Sequence, residues 1–215
     1  MYIRAGIRPS VLARKQFEEI KVKLPQYDFE AVVIATAGDR DKETPLSLMG
    51  SSDFFTREIE RALVCGEIDI AVHSAKDMEE KTPEDLMIAA MTASIATADC
   101  LFSPQGYALS ELPRGSRVGT SSINRTEGIA AARKDLVIKN IRGNVDERIA
   151  KVYRGEYDAL IVAQAALMRL GIFDGHSYVI AQSIVKPHPL QGRLAVQVRK
   201  DRKDLIEIFR KIHEN

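Results

Sequence analysis

Short β-branched runs alternate with longer segments of helical period along the 215-residue chain. Tyr2 to Gly6 reads as a strand, and Ser10 can cap a helix whose Leu12, Phe17, Ile20 and Leu24 share one face. Phe29 to Thr36 is a near-continuous apolar run, the pattern of a strand covered on both faces. Asp53 is expected to cap a further helix, with Phe55, Ile59, Ala62 and Leu63 inward and Gly66 as its stop. Ile68 to His73 and Leu86 to Met91 add two strands.

The pattern then restarts. Arg117 to Thr120 reads as a strand, and Ser121 or Ser122 caps a helix through Ala132. Leu136 to Ile141 is the next strand, followed by a helix from Asn144 to about Gly155. Ala159 to Ala163 precedes a short helix that stops at Gly171; the tail carries a strand at Leu194 to Val198 and a helix from Asp204 to His213. Alternating units of this length predict an α/β fold with parallel or mixed sheets flanked by helices. No tandem repeat stands out in the sequence.

Small residues at Ala93 to Ala98 and two prolines within Lys186 to Gln191 break the pattern. They predict two lobes: residues 1–93 plus 188–215 as a discontinuous first domain, and 94–187 as an inserted second one. A cleft between them, lined by strand ends and helix N-termini, is the expected binding site.

Composition narrows the choice of partner. Hydrophobic residues make up 45% and charged residues 28%, and 31 Lys and Arg face 30 Asp and Glu. The net charge of +1 argues against general affinity for nucleic acid or an anionic membrane. No apolar stretch approaches the roughly 20 residues of a membrane span, and the start, with Arg4 and Arg8, has no apolar core of a secretory signal. The expectation is a cytoplasmic protein. Cys65 and Cys100 lack metal-ligand spacing and sit among apolar residues, so both are expected to be buried, reduced thiols.

Three clusters can carry chemistry. Val72-His73-Ser74-Ala75-Lys76-Asp77 follows an apolar strand, which points its polar residues at the carboxyl edge of a sheet. A carboxylate there can stabilise a developing cation, and Lys76 can pair with a carboxylate; taken alone, the segment reads more readily as a solvated turn with a helix cap. Gly119-Thr120-Ser121-Ser122 offers hydroxyls and free N–H groups at a helix start, either an anion site or an ordinary cap. Arg142, after a strand and before Gly143-Asn144, can converge with Arg125, Arg148 and Arg169 to bind carboxylates in bidentate fashion, or these can be surface ion pairs. His176, His188 and His213 read as loop or terminal residues. No P-loop, nucleophile elbow, HExxH or dinucleotide glycine motif supports NTP hydrolysis, triad chemistry or hydride transfer.

In order and spacing these segments form a longer pattern. It runs through Arg8-Pro9-Ser10-Val11-Leu12-Ala13, Gly38-Asp39, Thr44-Pro45-Leu46, Phe55-Thr56-Arg57-Glu58-Ile59-Glu60 and Asp69-Ile70-Ala71-Val72-His73-Ser74-Ala75-Lys76-Asp77. It continues in Leu112-Pro113-Arg114-Gly115-Ser116, Val118-Gly119-Thr120-Ser121-Ser122, Ile141-Arg142-Gly143-Asn144-Val145, Gly155-Glu156-Tyr157-Asp158-Ala159 and Arg169-Leu170-Gly171. The pattern resembles the porphobilinogen deaminase (hydroxymethylbilane synthase) family over almost the whole chain. The resemblance implies two lobes like type II periplasmic binding proteins and a transferase that joins four porphobilinogen molecules with release of ammonia. It implies Asp77 as the catalytic carboxylate. It assigns Arg8, Ser10, Lys76, Thr120, Ser121, Ser122, Arg125, Arg142, Arg148, Arg169 and Gln191 to the carboxylates of substrate and cofactor.

The family also carries a dipyrromethane primer on a cysteine of a third domain. That domain is expected to be absent here, and neither Cys65 nor Cys100 matches the anchor, so the primer is expected to be non-covalent or missing. Asn124 stands where the family has the first arginine of a pair, Ser52 where it has a lysine, and Leu190 where it has a glycine. The expected partner is porphobilinogen alone, with the protein a monomer. A second reading is an impaired or non-catalytic protein that binds an anionic pyrrole or other small carboxylate in the same cleft.

Overall fold

A computed structural model describes residues 1–41, 44, 53–78 and 82–214; Pro45, Leu46 and Ser52 lie outside them. The described residues gather in two compact units. One falls within Met1–Asp41, Ser51–Ile95 and Gly192–Asn215, and the other is centred on Ala96–Gln191.

In the first unit β1 (Tyr2–Ile7) lies between β2 (Asp28–Val33) and β3 (Ile70–Ser74), parallel to both. The late strand β10 (Leu194–Arg199) returns antiparallel to β3 and to β4 (Leu86–Met91), giving the order β2-β1-β3-β10-β4. Side chains alternate across this sheet, as the two-residue period of a strand requires. Ile3, Ala5, Ile7, Ile70 and Val72 pack with Phe17 and Ile20 of α1 (Val11–Lys23) and Phe209 of α7 (Lys203–Arg210). Ala71 faces the other way, onto Ile59 and Leu63 of α3 (Arg57–Val64). Helices therefore cover both faces. α1 begins where Ser10 Oγ accepts from Ala13 N at 3.0 Å, as its sequence predicts. A short α2 (Ala37–Arg40) follows β2.

The second unit repeats this topology. β6 (Arg117–Gly119) lies parallel between β7 (Val137–Lys139) and β8 (Ala159–Ala163), and β5 (Asp99–Phe102) runs antiparallel to β8 and to β9 (Ser177–Val179). The order is β7-β6-β8-β5-β9. α4 (Ile123–Ala132), α5 (Val145–Tyr153) and α6 (Gln164–Leu170) complete it, over a core of Leu101, Val118, Ile129, Ala159 and Ile161.

One clip recurs at the start of each sheet. Arg4 gives its backbone N–H and Nε to Asp69 Oδ2 at 2.9 and 3.0 Å, and Nη2 to the Gly66 carbonyl at 2.8 Å. Arg117 does the same to Asp158 Oδ2 at 2.6 and 3.1 Å and to the Gly155 carbonyl at 2.8 Å. Gly66 and Gly155 both sit at positive φ, 72° and 73°, which ends α3 and α5 and turns the chain into the next strand. The two segments read Gly-Glu-Ile-Asp and Gly-Glu-Tyr-Asp.

Three expectations are corrected. The strand in the Phe29 to Thr36 run spans Asp28–Val33; it is covered on both faces, Phe29 and Ala31 packing toward α1 and α7 and Val32 toward α3, but it ends short of Thr36 and, at the edge of the sheet, its side chains are only partly buried. Asp53 opens a 3₁₀ turn at Asp53–Phe55, and the helix proper starts after Thr56. Cys65 is exposed, as the cap residue at the C-terminus of α3, while Cys100 is buried as expected. The short β5, β9 and α2 were not foreseen. Among the described residues no helix is long and apolar enough to cross a membrane.

Candidate functional site

The carboxyl ends of β1 and β3 carry the first unit's polar cluster. β3 ends at Ser74, and a 3₁₀ turn at Ala75–Asp77 follows. Ala75 is fully buried and its N–H donates to the Arg193 carbonyl at 3.0 Å, which pins the turn to the strand entering β10. Ser74 Oγ accepts from the buried Gln16 at 2.8 Å, which ties the same turn to α1. Lys76 and Asp77 are half-buried on this braced turn.

His73, one residue before the strand end, is 5% exposed. Its Nε2 lies 3.2 Å from Gln197 Oε1, and Gln197 Nε2 donates to Glu60 Oε1 at 2.8 Å. With its amide nitrogen committed to a carboxylate, Gln197 presents its oxygen to His73, so Nε2 carries the imidazole proton. Burial pushes the imidazole down to about 4; the Gln197 contact and the nearby Asp77 charge oppose that, and Arg8 reinforces it. His73 is neutral at pH 7.

Arg8 follows β1. Its Nε and Nη2 both donate to Asp39 Oδ1, at 3.1 and 2.5 Å, and its Cζ lies 4.2 Å from the centroid of the Phe55 ring. Burial alone would raise the Asp39 carboxyl. The Arg8 fork and the Thr36 contacts outweigh it and hold the group below its ordinary range. Ser10 is engaged as the α1 cap.

The second unit has its own strand-end cluster. Thr120 is buried, Ser121 Oγ donates to the Ile141 carbonyl, and Ser122 Oγ accepts from Arg125 N at 3.5 Å, which makes Ser122 the cap of α4. Arg125 is held inward: Nη2 donates to Asp99 Oδ1 at 2.6 Å and Nη1 to the Ile161 carbonyl at 3.3 Å. Gln191 gives its amide to the Thr97 and Ala98 carbonyls and to Asp99 Oδ1, at 2.8, 3.0 and 2.9 Å. Arg142 follows β7 with 4% exposure, and Arg148 Nε donates to the Gly143 carbonyl at 2.7 Å. Gly143 is required there: at φ 106° a Cβ would stand 2.6 Å from Glu147 Oε2, which caps Asn144 N at the start of α5. Arg142, Gly143, Glu147, Lys151 and Arg154 border a cavity of about 330 Å³. Arg169 is half-buried in the last turn of α6.

Arg8, Ser10, Lys76 and Asp77 thus gather at the strand ends of the first unit. Thr120, Ser121, Ser122, Arg125, Arg142 and Arg148 do so in the second, with Gln191 beside Asp99. Sequence reasoning gave no role to Asp39, Phe55, Asp99, Gln16 or Gln197. Asp39 and Phe55 lay within segments of the resemblance, which was their only signal; the others are recognisable only by what they touch. Among the described residues no group of three His, Cys, Asp or Glu is placed to hold a metal ion.

Comparison with known proteins places the whole chain. The family model described as "Porphobilinogen deaminase, dipyromethane cofactor binding domain" matches residues 3–207. The porphobilinogen deaminase of Streptococcus sanguinis is 40% identical over 220 residues, covering 99% of this chain and 72% of that protein. The probable porphobilinogen deaminase of Pyrobaculum neutrophilum is 41% identical over 217 residues, covering 98% and 73%. Among solved structures, an ancestral arginine-binding protein bound to arginine aligns with a TM-score of 0.52 at 16% identity, covering 98% of this chain and 90% of that one. The regulatory domain of OxyR2 from Vibrio vulnificus aligns with a TM-score of 0.52 at 12% identity, covering 99% and 94%. At such identities these structures speak for the fold, which is of the type II periplasmic binding protein kind.

Proposed function

The chain belongs to the porphobilinogen deaminase family, and from that premise we propose that its strand-end clusters carry out the family's transferase reaction on porphobilinogen, with Asp77 as the catalytic carboxylate. The reaction joins porphobilinogen units head to tail into hydroxymethylbilane, releasing one ammonia per bond. Each unit bears an acetate and a propionate, so substrate and product are polyanions. The cationic and hydroxyl-bearing side chains match that charge.

Departure of ammonia leaves the pyrrole as a cationic azafulvene. A carboxylate close to the pyrrole nitrogen lowers the energy of that cation as it forms. Asp77 suits the task because its turn is braced by Ala75 and Ser74 and its neighbour His73 is uncharged, so no local cation cancels its negative charge from that side. Arg8, Ser10 and Lys76 on the first unit, and Thr120, Ser121, Ser122, Arg125, Arg142, Arg148, Arg169 and Gln191 on the second, are assigned to carboxylates of the growing chain. Asp99 orients both Arg125 and Gln191.

The residues present fit a dipyrromethane through its carboxylates. The buried Arg142 and the hydroxyls of Thr120 and Ser122 bring donors together at two strand ends. A bound dipyrromethane would supply the free pyrrole α-position that accepts the first unit. Neither cysteine of this sequence suits a thioether. Cys100 is buried, and burial with the Asp99 charge pushes its thiol up to about 12. Cys65 lies before β3, at the end of the sheet opposite Asp77. Within this chain the primer is held by its charges.

The bracing of the Asp77 turn within a chain of this family is the observation that carries the reading. Incubation with porphobilinogen, acid oxidation and measurement of uroporphyrin absorbance test it. Product is expected from the wild-type chain and none from Asp77→Asn; no product at high protein concentration, or full activity in Asp77→Asn, would overturn it.

A further inference from the structure

Arg8 is restrained on several sides by groups of its own unit. Nε and Nη2 form a fork on Asp39, whose side chain is 5% exposed, while the Arg8 side chain keeps 24% of its surface. Both carboxylate oxygens of Asp39 take part. Oδ1 takes Arg8 Nη2 at 2.5 Å and Nε at 3.1 Å; Oδ2 takes Arg8 Nε at 3.3 Å and also Thr36 N at 3.1 Å and Thr36 Oγ1 at 2.8 Å, where α2 begins. Asp39 is thereby fixed to the backbone and cannot follow Arg8 if the latter swings. The Phe55 ring closes one face of the guanidinium at 4.2 Å. Gly38 makes that approach possible, since a Cβ there would stand 2.3 Å from Phe55 Cε1. Among the described residues the hydrogen bonds of Arg8 leave from Nε and Nη2, so Nη1 remains for a ligand.

We propose that Asp39 and Phe55 are positioning residues that hold Arg8 with its Nη1 edge presented as a fixed half-site for one carboxylate of the anionic pyrrole. The ligand's identity rests on the porphobilinogen reading above. Two physical effects of Asp39 compete. Its negative charge lowers the long-range attraction of Arg8 for an anion. Its fork removes the rotamer freedom that a loose arginine would lose on binding, and fixes the planar geometry a carboxylate needs. Long-range attraction is weakened by solvent and salt at a site one-quarter exposed, whereas orientation acts at contact, so positioning dominates.

The test is a double-mutant cycle read as binding. Porphobilinogen is titrated calorimetrically into Asp77→Asn protein, in which turnover is blocked, and into the same protein carrying Arg8→Gln, Asp39→Asn or both. Arg8→Gln is expected to weaken binding about tenfold and Asp39→Asn about fivefold, with the pair no more than about twofold worse than Arg8→Gln alone. Asp39→Asn keeps an oxygen for Thr36; if it fails to fold, Phe55→Leu takes its place, with the same coupling to Arg8→Gln expected. Tighter or unchanged binding in Asp39→Asn, effects that multiply, or no binding of porphobilinogen would each overturn the proposal. Wild-type turnover is scored separately. Coupled binding without uroporphyrin would sink the reaction and leave the clamp, while uroporphyrin with uncoupled variants would do the reverse.

Discussion

Asp99 accepts from Arg125 at 2.6 Å with both side chains nearly closed to water, at 4% and 12% exposure. The same Oδ1 takes Gln191 at 2.9 Å. Removing one member of a buried pair strands the other's charge and typically costs about 3–5 kcal/mol. Asp99→Ala is therefore expected to lose about 3 kcal/mol in urea unfolding, and Asp99→Asn clearly less. A loss under about 1 kcal/mol for Asp99→Ala would mean that Arg125 is not committed inward.

Gly128 lies in the interior of α4, where helix propensity alone favours alanine by about 1 kcal/mol. Its Cβ, however, would stand 2.1 Å from the Ile184 carbonyl oxygen and 3.2 Å from Val185 Cγ2. Contact with backbone decides the sign: Gly128→Ala should destabilise by about 1–3 kcal/mol. Gly175→Ala, with no atom near its Cβ, should stay within about 0.5 kcal/mol of wild type. Thermal unfolding of both variants checks the contrast.

A neutral, buried His73 makes stability depend on pH. Its imidazole titrates at about 4 when folded and near 6.5 when unfolded, so between those values the unfolded chain binds the extra proton. The stabilisation is complete above about pH 6.5 and is lost as the pH falls from there to about 4. The full amplitude is about 3 kcal/mol, and Asp77 and Arg8 are the charged groups that set it besides burial. His73→Gln should flatten the wild-type difference between pH 7.5 and pH 4.5 by most of this amount. A ring-proton NMR titration with a midpoint above 6 would refute the assignment.

The two thiols should react very differently. Cys65 is exposed, whereas Cys100 is buried with its thiol pushed up to about 12. A disulfide reagent at pH 8 should label Cys65 quickly in the native protein and Cys100 only after unfolding. Prompt labelling of both would show that β5 opens readily.

What could be read from the sequence was local. The α1 cap at Ser10, the start of α5 at Asn144 and the stop at Gly171 each depend on residues within one turn of one another, and each stands where expected. The Phe29 run overreaches to Thr36 because apolar character reports burial and not where strand pairing ends, which is at Val33. The strand Asp99–Phe102 follows a run of small residues and is only four residues long, too short for a period to emerge. Among the site residues, the strand-end positions of His73, Lys76 and Asp77 follow from an apolar run that ends in polar residues. The inward commitment of Arg125 does not, because its partner Asp99 is 26 residues away. The role of Gln197 is further still from view, 124 residues from His73.

The repeated arginine clip aligns Asp69 with Asp158 and so sets the two following strands in register with each other. Counting on from it, His73-Ser74-Ala75-Lys76-Asp77 corresponds to Val162-Ala163-Gln164-Ala165-Ala166. One copy of the scaffold carries imidazole, ammonium and carboxylate at its strand end, while the other fills those three places with Val162, Ala165 and Ala166. The molecule therefore contains its own blank, a second strand end of like topology from which ionisable groups are missing. Transplanting one polar side chain at a time from the first copy to the second would measure what each costs the fold, separated from anything it does for the reaction.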